Sequence, residues 1–191
     1  MQISAPYQIN AHQALQDHIL QKDVFIVIQH ASRIPPHIGL IAGKQYHSLT
    51  IKGHEIEMSL ELLLKNIRIR KIPTFFILIK KHPVFSNDYL KEHFIQDIRQ
   101  FKKVEEGGAT CLSPLRNFFR EAYDLDVTDV NFIFELLPKL EQATLIESVY
   151  SIGIESPHFS LPVYSHNDID VNIVSALREA SLIRKHSTGN L

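Results

Sequence analysis

The chain has 191 residues with 20 Lys plus Arg against 21 Asp plus Glu, a formal charge of −1. So even a balance supplies no electrostatic field for nucleic acid or an anionic membrane surface. With 45% hydrophobic and 21% charged residues, the composition is that of a globular protein and excludes disorder.

A single cysteine rules out an internal disulfide. The start, Met1-Gln2-Ile3-Ser4-Ala5-Pro6-Tyr7, has no basic segment followed by an apolar one, so no signal peptide is expected. No apolar run approaches the about 18 residues of a membrane span. The expected location is cytoplasmic, with no integral membrane segment and no nucleic-acid partner.

Ala14, Leu15, Ile19 and Leu20 among polar neighbours predict a short helix over 11–21. Val24-Phe25-Ile26-Val27-Ile28 is a continuous β-rich run and reads as a buried strand. Pro35-Pro36 enforces a loop. Two strands follow, 37–42 and 45–51, joined at Gly43-Lys44 in a tight hairpin.

Leu60, Leu63, Leu64 and Ile67 have helical spacing, with Ser59 as the cap. Thr74 to Ile79 is another buried strand. A helix capped by Asn87 or Asp88 runs to Phe101, with Leu90, Phe94, Ile95 and Ile98 on one face. After Gly107-Gly108, the residues Leu115, Phe118, Phe119 and Ala122 mark a helix near Cys111. Thr128-Asp129 fits the cap of a helix ending before Pro138. Residues 151–166 read as a loop, 168–182 as a last helix, and 187–191 as a fraying tail.

Two residues carry candidate chemistry. Cys111 is the sole thiol, and a thiol becomes a nucleophile when a helix N-terminus or a nearby imidazole stabilises its thiolate. His37 opens the hairpin. A two-residue turn at Gly43-Lys44 pairs Ala42 with Gln45 and His37 with Thr50. His37, Gly39, Ile41, Tyr46, Ser48 and Thr50 then share one face. A slip of one residue would turn His47 and Leu49 inward instead.

The plain alternatives are a small buried Cys111 and a strand-start His37 with a satisfied ring. Eleven histidines invite a metal reading, but there is no His-Glu-x-x-His, and His47 with His54 lacks further ligands at suitable spacing. No metal and no cofactor are expected. The basic stretch 65–71 reads as a solvated helix end.

Strand, loop, His-led hairpin, helix, strand and then a thiol at a helix start is an informative order. It resembles the circularly permuted papain-like cysteine hydrolases, relatives of the NlpC-type cell-wall peptidases and of the lecithin:retinol acyltransferases. The hairpin His37-Ile38-Gly39-Leu40-Ile41-Ala42-Gly43 matches that family's His-x-Gly-apolar-x-x-Gly pattern, and Thr110-Cys111-Leu112 its nucleophile.

The chain departs from the pattern in having Pro35-Pro36 before the His and Cys111-Leu112-Ser113-Pro114 at the nucleophile. Ser113 followed by Pro114 is itself a good helix start, whereas the resemblance favours a helix led by Cys111 and capped by Thr110.

The likeness implies an α+β fold of permuted papain-like type, a central antiparallel sheet flanked by helices. It implies one domain, 1–191, with a catalytic core at about 23–124 and a mostly helical extension at about 125–191. It further implies a thiol-dependent hydrolase or acyltransferase acting on an amide or ester. The substrate would be a peptidoglycan-type peptide or an acyl lipid. Cys111 would be the nucleophile and His37 the base. The third member, which orients the imidazole, would be Thr50 or, alternatively, Ser48. The competing expectation is an inactive module of the same fold that binds a peptide or small ligand.

Overall fold

Alternating and continuous apolar runs assemble into a seven-stranded sheet and a two-stranded one in the computed structural model, which describes residues 6–11 and 13–188. The strands are β1 (Gln8–Asn10), β2 (Gln13–Ala14), β3 (Val24–Gln29), β4 (His37–Ala42) and β5 (Gln45–Thr50). They continue with β6 (Gly53–Ser59), β7 (Thr74–Ile79), β8 (Ile146–Ile152) and β9 (His158–Ser160). The helices are α1 (Leu60–Ile69), α2 (Asn87–Arg99), α3 (Ser113–Tyr123), α4 (Ile133–Gln142) and α5 (His166–Thr188).

The sheet order is β2-β8-β7-β3-β4-β5-β6. Every neighbouring pair is antiparallel except the short edge pair β2 with β8. The molecule is therefore α+β, with a mainly antiparallel sheet flanked by helices. β1 and β9 form a separate antiparallel pair.

The two central strands read as unbroken apolar runs because helices cover both of their faces. Phe25, Val27, Phe76 and Leu78 pack with α1 through Leu60, Leu63, Leu64 and Ile67. Ile26, Ile28, Phe75 and Ile77 pack on the other face with residues of α2 to α5. Val127 to Ile173 thus share the core built by the earlier part of the chain. Among the described residues, no helix is long and apolar enough to cross a membrane.

Several expectations need correction. Residues 11–21 hold β2 and a 3-10 helix at Asp17–Gln21 instead of one helix. Leu20 alone of that helix is buried, too little apolar surface to hold a longer one. α4 is capped by Glu135, whose carboxylate accepts the N–H groups of Asn131 and Phe132 at 2.8 and 3.1 Å. Thr128-Asp129 plays no part in that cap. Pro138 lies inside α4, which continues because Leu136, Leu137 and Leu140 are fully buried on its inner side.

β6 and β8 occupy segments where no strand was expected. Ile146–Ile152 carries Glu and Ser among its apolar residues, yet it pairs along the length of β7. α5 is also longer than expected and reaches Thr188, so the tail expectation falls partly on 189–191, outside the described residues.

Candidate functional site

The site forms where β4 begins and α3 begins. The Gly43-Lys44 turn pairs Ala42 with Gln45 and Ile41 with Tyr46. Tyr46 and Ser48 then lie on the His37 face. Gly39 is required there, because an added Cβ would meet the Tyr46 ring and hydroxyl at about 2.5 Å. The absence of a side chain lets the buried Tyr46 ring cross β4 and receive a hydrogen bond on its hydroxyl from Gln29 Nε2 at 3.0 Å.

His37 Nε2 lies 3.2 Å from Ser48 Oγ. Ser48 in turn donates its hydroxyl proton to Glu55 Oε2 at 3.0 Å. A serine has one proton to give, so Ser48 must accept from the ring, and His37 carries its proton on Nε2. Nδ1 then carries the lone pair, and no hydrogen bond to it is made among the described residues. Thr50 takes no part in this chain: it donates to the Gly53 carbonyl at 3.0 Å and accepts the Lys52 N–H at 3.1 Å, closing the next turn.

Glu55, the carboxylate nearest the hairpin in sequence but beyond Gly53, is the member expected to lie off the His37 face, and the structure brings it onto that face. The loop Ile51-Lys52 pairs Thr50 with Gly53, Leu49 with His54 and Ser48 with Glu55. Gly53 has φ +122°, which a side chain would resist. A two-residue turn read at Ile51-Lys52 would have put a carboxylate directly opposite Ser48.

Cys111 sits in a turn just ahead of α3, whose cap is Leu112 and whose first turn contains Pro114. Thr110 Oγ1 accepts the Leu112 N–H at 3.2 Å, and Ser113 Oγ accepts the Thr110 N–H at 2.9 Å. Those paired bonds fix the turn, and neither hydroxyl caps the helix. The thiol donates to the Pro36 carbonyl at 4.0 Å. The backbone N–H groups of Ile38, Cys111 and Leu112 are turned to the sulfur. It therefore touches the main chain on both sides of His37. Among the described residues, no hydrogen bond joins the thiol to the imidazole itself.

Burial decides the resting charge of both groups. It pushes the thiol up to about 11, with the three N–H groups acting in the opposite direction. It pushes His37 down to about 4, assisted by the charge of His30. A depressed thiol was expected from the helix start; desolvation outweighs that effect. Near neutral pH the pair is a thiol beside a neutral imidazole.

His37 and Cys111 line a cavity of about 530 Å³, with Leu49, Tyr164, Ile169 and Ile173 among its walls. α5 supplies one wall, and Asp170 on it accepts the Gly107 N–H at 2.9 Å, tying the loop before Cys111 to that helix.

His47 lies outside the site, fully buried. Its Nδ1 accepts the Glu57 N–H at 3.1 Å, so Nε2 donates to the Ala42 carbonyl at 3.4 Å. Burial pushes this ring from 6.5 to about 4 as well. His93, Asp97 and Glu121 bring ligand atoms within 4.8 Å of one another on α2 and α3. Asp97 is occupied by protein donors there: His93 Nδ1 at 3.1 Å and Gln100 Nε2 at 3.3 Å.

The two depressed histidines give a pH dependence of stability. Below 6.5 the unfolded chain takes up protons that the folded rings refuse until about pH 4. Stability present at neutral pH is therefore lost as pH falls from 6.5 towards 4, by on the order of 3 kcal/mol or less at each ring. Asp97, raised by burial to about 6, has the opposite sign and offsets part of this loss. Urea unfolding of His47→Gln at pH 7 and pH 4.5 should show a smaller pH effect than the parent. An equal pH effect in both proteins would count against a neutral, buried His47.

No family model matches the chain, and searches of curated proteins and of solved structures found no match.

Proposed function

We propose that the protein is a thiol-dependent hydrolase or acyltransferase that opens an amide or ester through Cys111 and His37. We further propose that its fold is the permuted papain-like one. The observation that carries this reading is the chain His37–Ser48–Glu55. It holds the imidazole in the tautomer with its lone pair on Nδ1, while the thiol touches the main chain on both sides of the same residue. A ring packed only for stability has no need of a carboxylate relay behind it.

The resting thiol is neutral, so the chemistry is general-base catalysis instead of attack by a stored thiolate. Sulfur attacks the carbonyl carbon while Nδ1 takes the S–H proton. The imidazolium is stabilised through Ser48 by Glu55, then protonates the departing nitrogen or oxygen. A thioester remains on Cys111 until water or another acceptor attacks it, with His37 again taking the proton. The Cys111 N–H, beside the sulfur, is a donor for the tetrahedral oxyanion, whereas the Leu112 N–H already serves Thr110 Oγ1.

The inactive binding module is favoured by one observation, the hydrogen bond from the thiol to Pro36 in place of the imidazole. p-Nitrophenyl acetate separates the two readings. The hydrolase should release a burst of one p-nitrophenolate per protein, and Cys111→Ala should release none. Equal release by both proteins would favour the binding module.

A further inference from the structure

The walls of the cavity differ from what either a charged peptide or a purely neutral lipid would require. Its inner side is apolar: Leu49, Ile169 and Ile173 are all at least nine-tenths buried. Among the described residues, no Asp or Glu lines it. At its rim stands Arg33, an exposed side chain with no carboxylate in ion-pair distance among the described residues. His30 also lines the cavity, and the charges of Arg33 and Arg70 act on its imidazole. The mouth is thus electropositive and the interior uncharged.

We infer that the substrates are N-acyl amino acids, with an apolar acyl chain in the cavity and a carboxylate held by Arg33 at its mouth. This rests on the Cys111–His37 reading and names the substrate for it. An ammonium group in such a site would lose its water and find no counter-charge, which is costly. A carboxylate would gain a charge-assisted, two-pronged contact with the guanidinium. An octanoyl chain, at about 30 Å³ per carbon by analogy with one water, takes about 240 Å³. That is under half of the 530 Å³ present, so the chain and the scissile amide fit together.

The reaction balances with water as the only co-reactant. The C–S bond forms as the amide C–N bond breaks, and the thiol proton passes through His37 to the departing amino group. Water then attacks the thioester, forming C–O as C–S breaks. The products are the fatty acid, the amino acid and the regenerated thiol.

Binding to Cys111→Ala protein separates recognition from chemistry. The probes are N-octanoylglycine, its neutral counterpart N-octanoylglycinamide, and the cationic N-(2-aminoethyl)octanamide, each titrated calorimetrically. Cys111→Ser replaces the Ala variant if that one fails to fold. The carboxylate should bind at least tenfold more tightly than the neutral amide, and the cation most weakly. In protein that also carries Arg33→Ala, the carboxylate-to-amide ratio should fall towards one. Equal affinity for all three probes, preference for the cation, or no binding would overturn the proposal.

Acetylation of the parent by p-nitrophenyl acetate reads the chemistry separately. An acetyl adduct without carboxylate preference overturns the substrate class alone. Carboxylate preference without an adduct overturns the acyl transfer and leaves the recognition standing.

Discussion

His37→Ala should slow acylation of Cys111 by about 10²- to 10⁴-fold, the usual contribution of a positioned general base. The parent ring has Nδ1 free because Ser48 accepts the Nε2 proton at 3.2 Å. Without the ring, the S–H proton must leave to water from a group that burial already holds near 11. Ser48→Ala retains the base and removes what fixes its tautomer, so it should cost less than His37→Ala. Glu55→Gln should also cost less, because Glu55 is separated from the ring by one hydroxyl and acts through it. Pre-steady-state release of p-nitrophenolate by the four proteins checks this order. An unchanged rate in His37→Ala would remove the imidazole from the mechanism.

Phe118→Ala should destabilise the protein by about 3–5 kcal/mol, the range for deleting a fully buried aromatic side chain. Phe118 has no solvent exposure. Its ring packs edge-on against Phe94 and Phe119, at centroid distances of 5.5 and 5.3 Å, and lies 5.7 Å from Tyr123. That cluster joins α2 to α3 and thereby anchors the turn holding Cys111. Denaturant unfolding would show the loss as a lower midpoint with an unchanged slope. A loss below about 1 kcal/mol would mean that the cavity collapses freely, contrary to the close aromatic packing around it.

Much of the fold was legible because its strongest elements announce themselves locally. β3 and β7 are continuous apolar runs, and α1 has Ser59 at its cap, where the hydroxyl accepts the Leu62 N–H at 3.2 Å. The hairpin was legible too, since the Gly43-Lys44 turn alone sets the face shared by His37, Tyr46 and Ser48. β8 was hidden because its Glu and Ser residues blur the alternation, and only pairing with β7 makes it a strand.

Within the site, Ser48 and Thr50 both follow from the register as residues on the His37 face. Choosing between them depended on where Thr50 spends its hydroxyl, which is in the turn to Gly53. Glu55 was hidden because Ile51-Lys52 is not a recognisable turn sequence. The resting charge of Cys111 was beyond local reading. Its environment includes Pro36, 75 positions earlier, and a cavity wall from α5, more than 50 positions later. Helix-start rules supply only the opposing influence.

The most direct measurement is the site of covalent modification after p-nitrophenyl acetate is mixed with protein and quenched in acid. Peptide mass mapping should find one acetyl group on Cys111 in the parent, and far less on Cys111 in His37→Ala at the same time point. An unmodified Cys111 in the parent, or acetyl groups only on other side chains, would contradict a catalytic thiol.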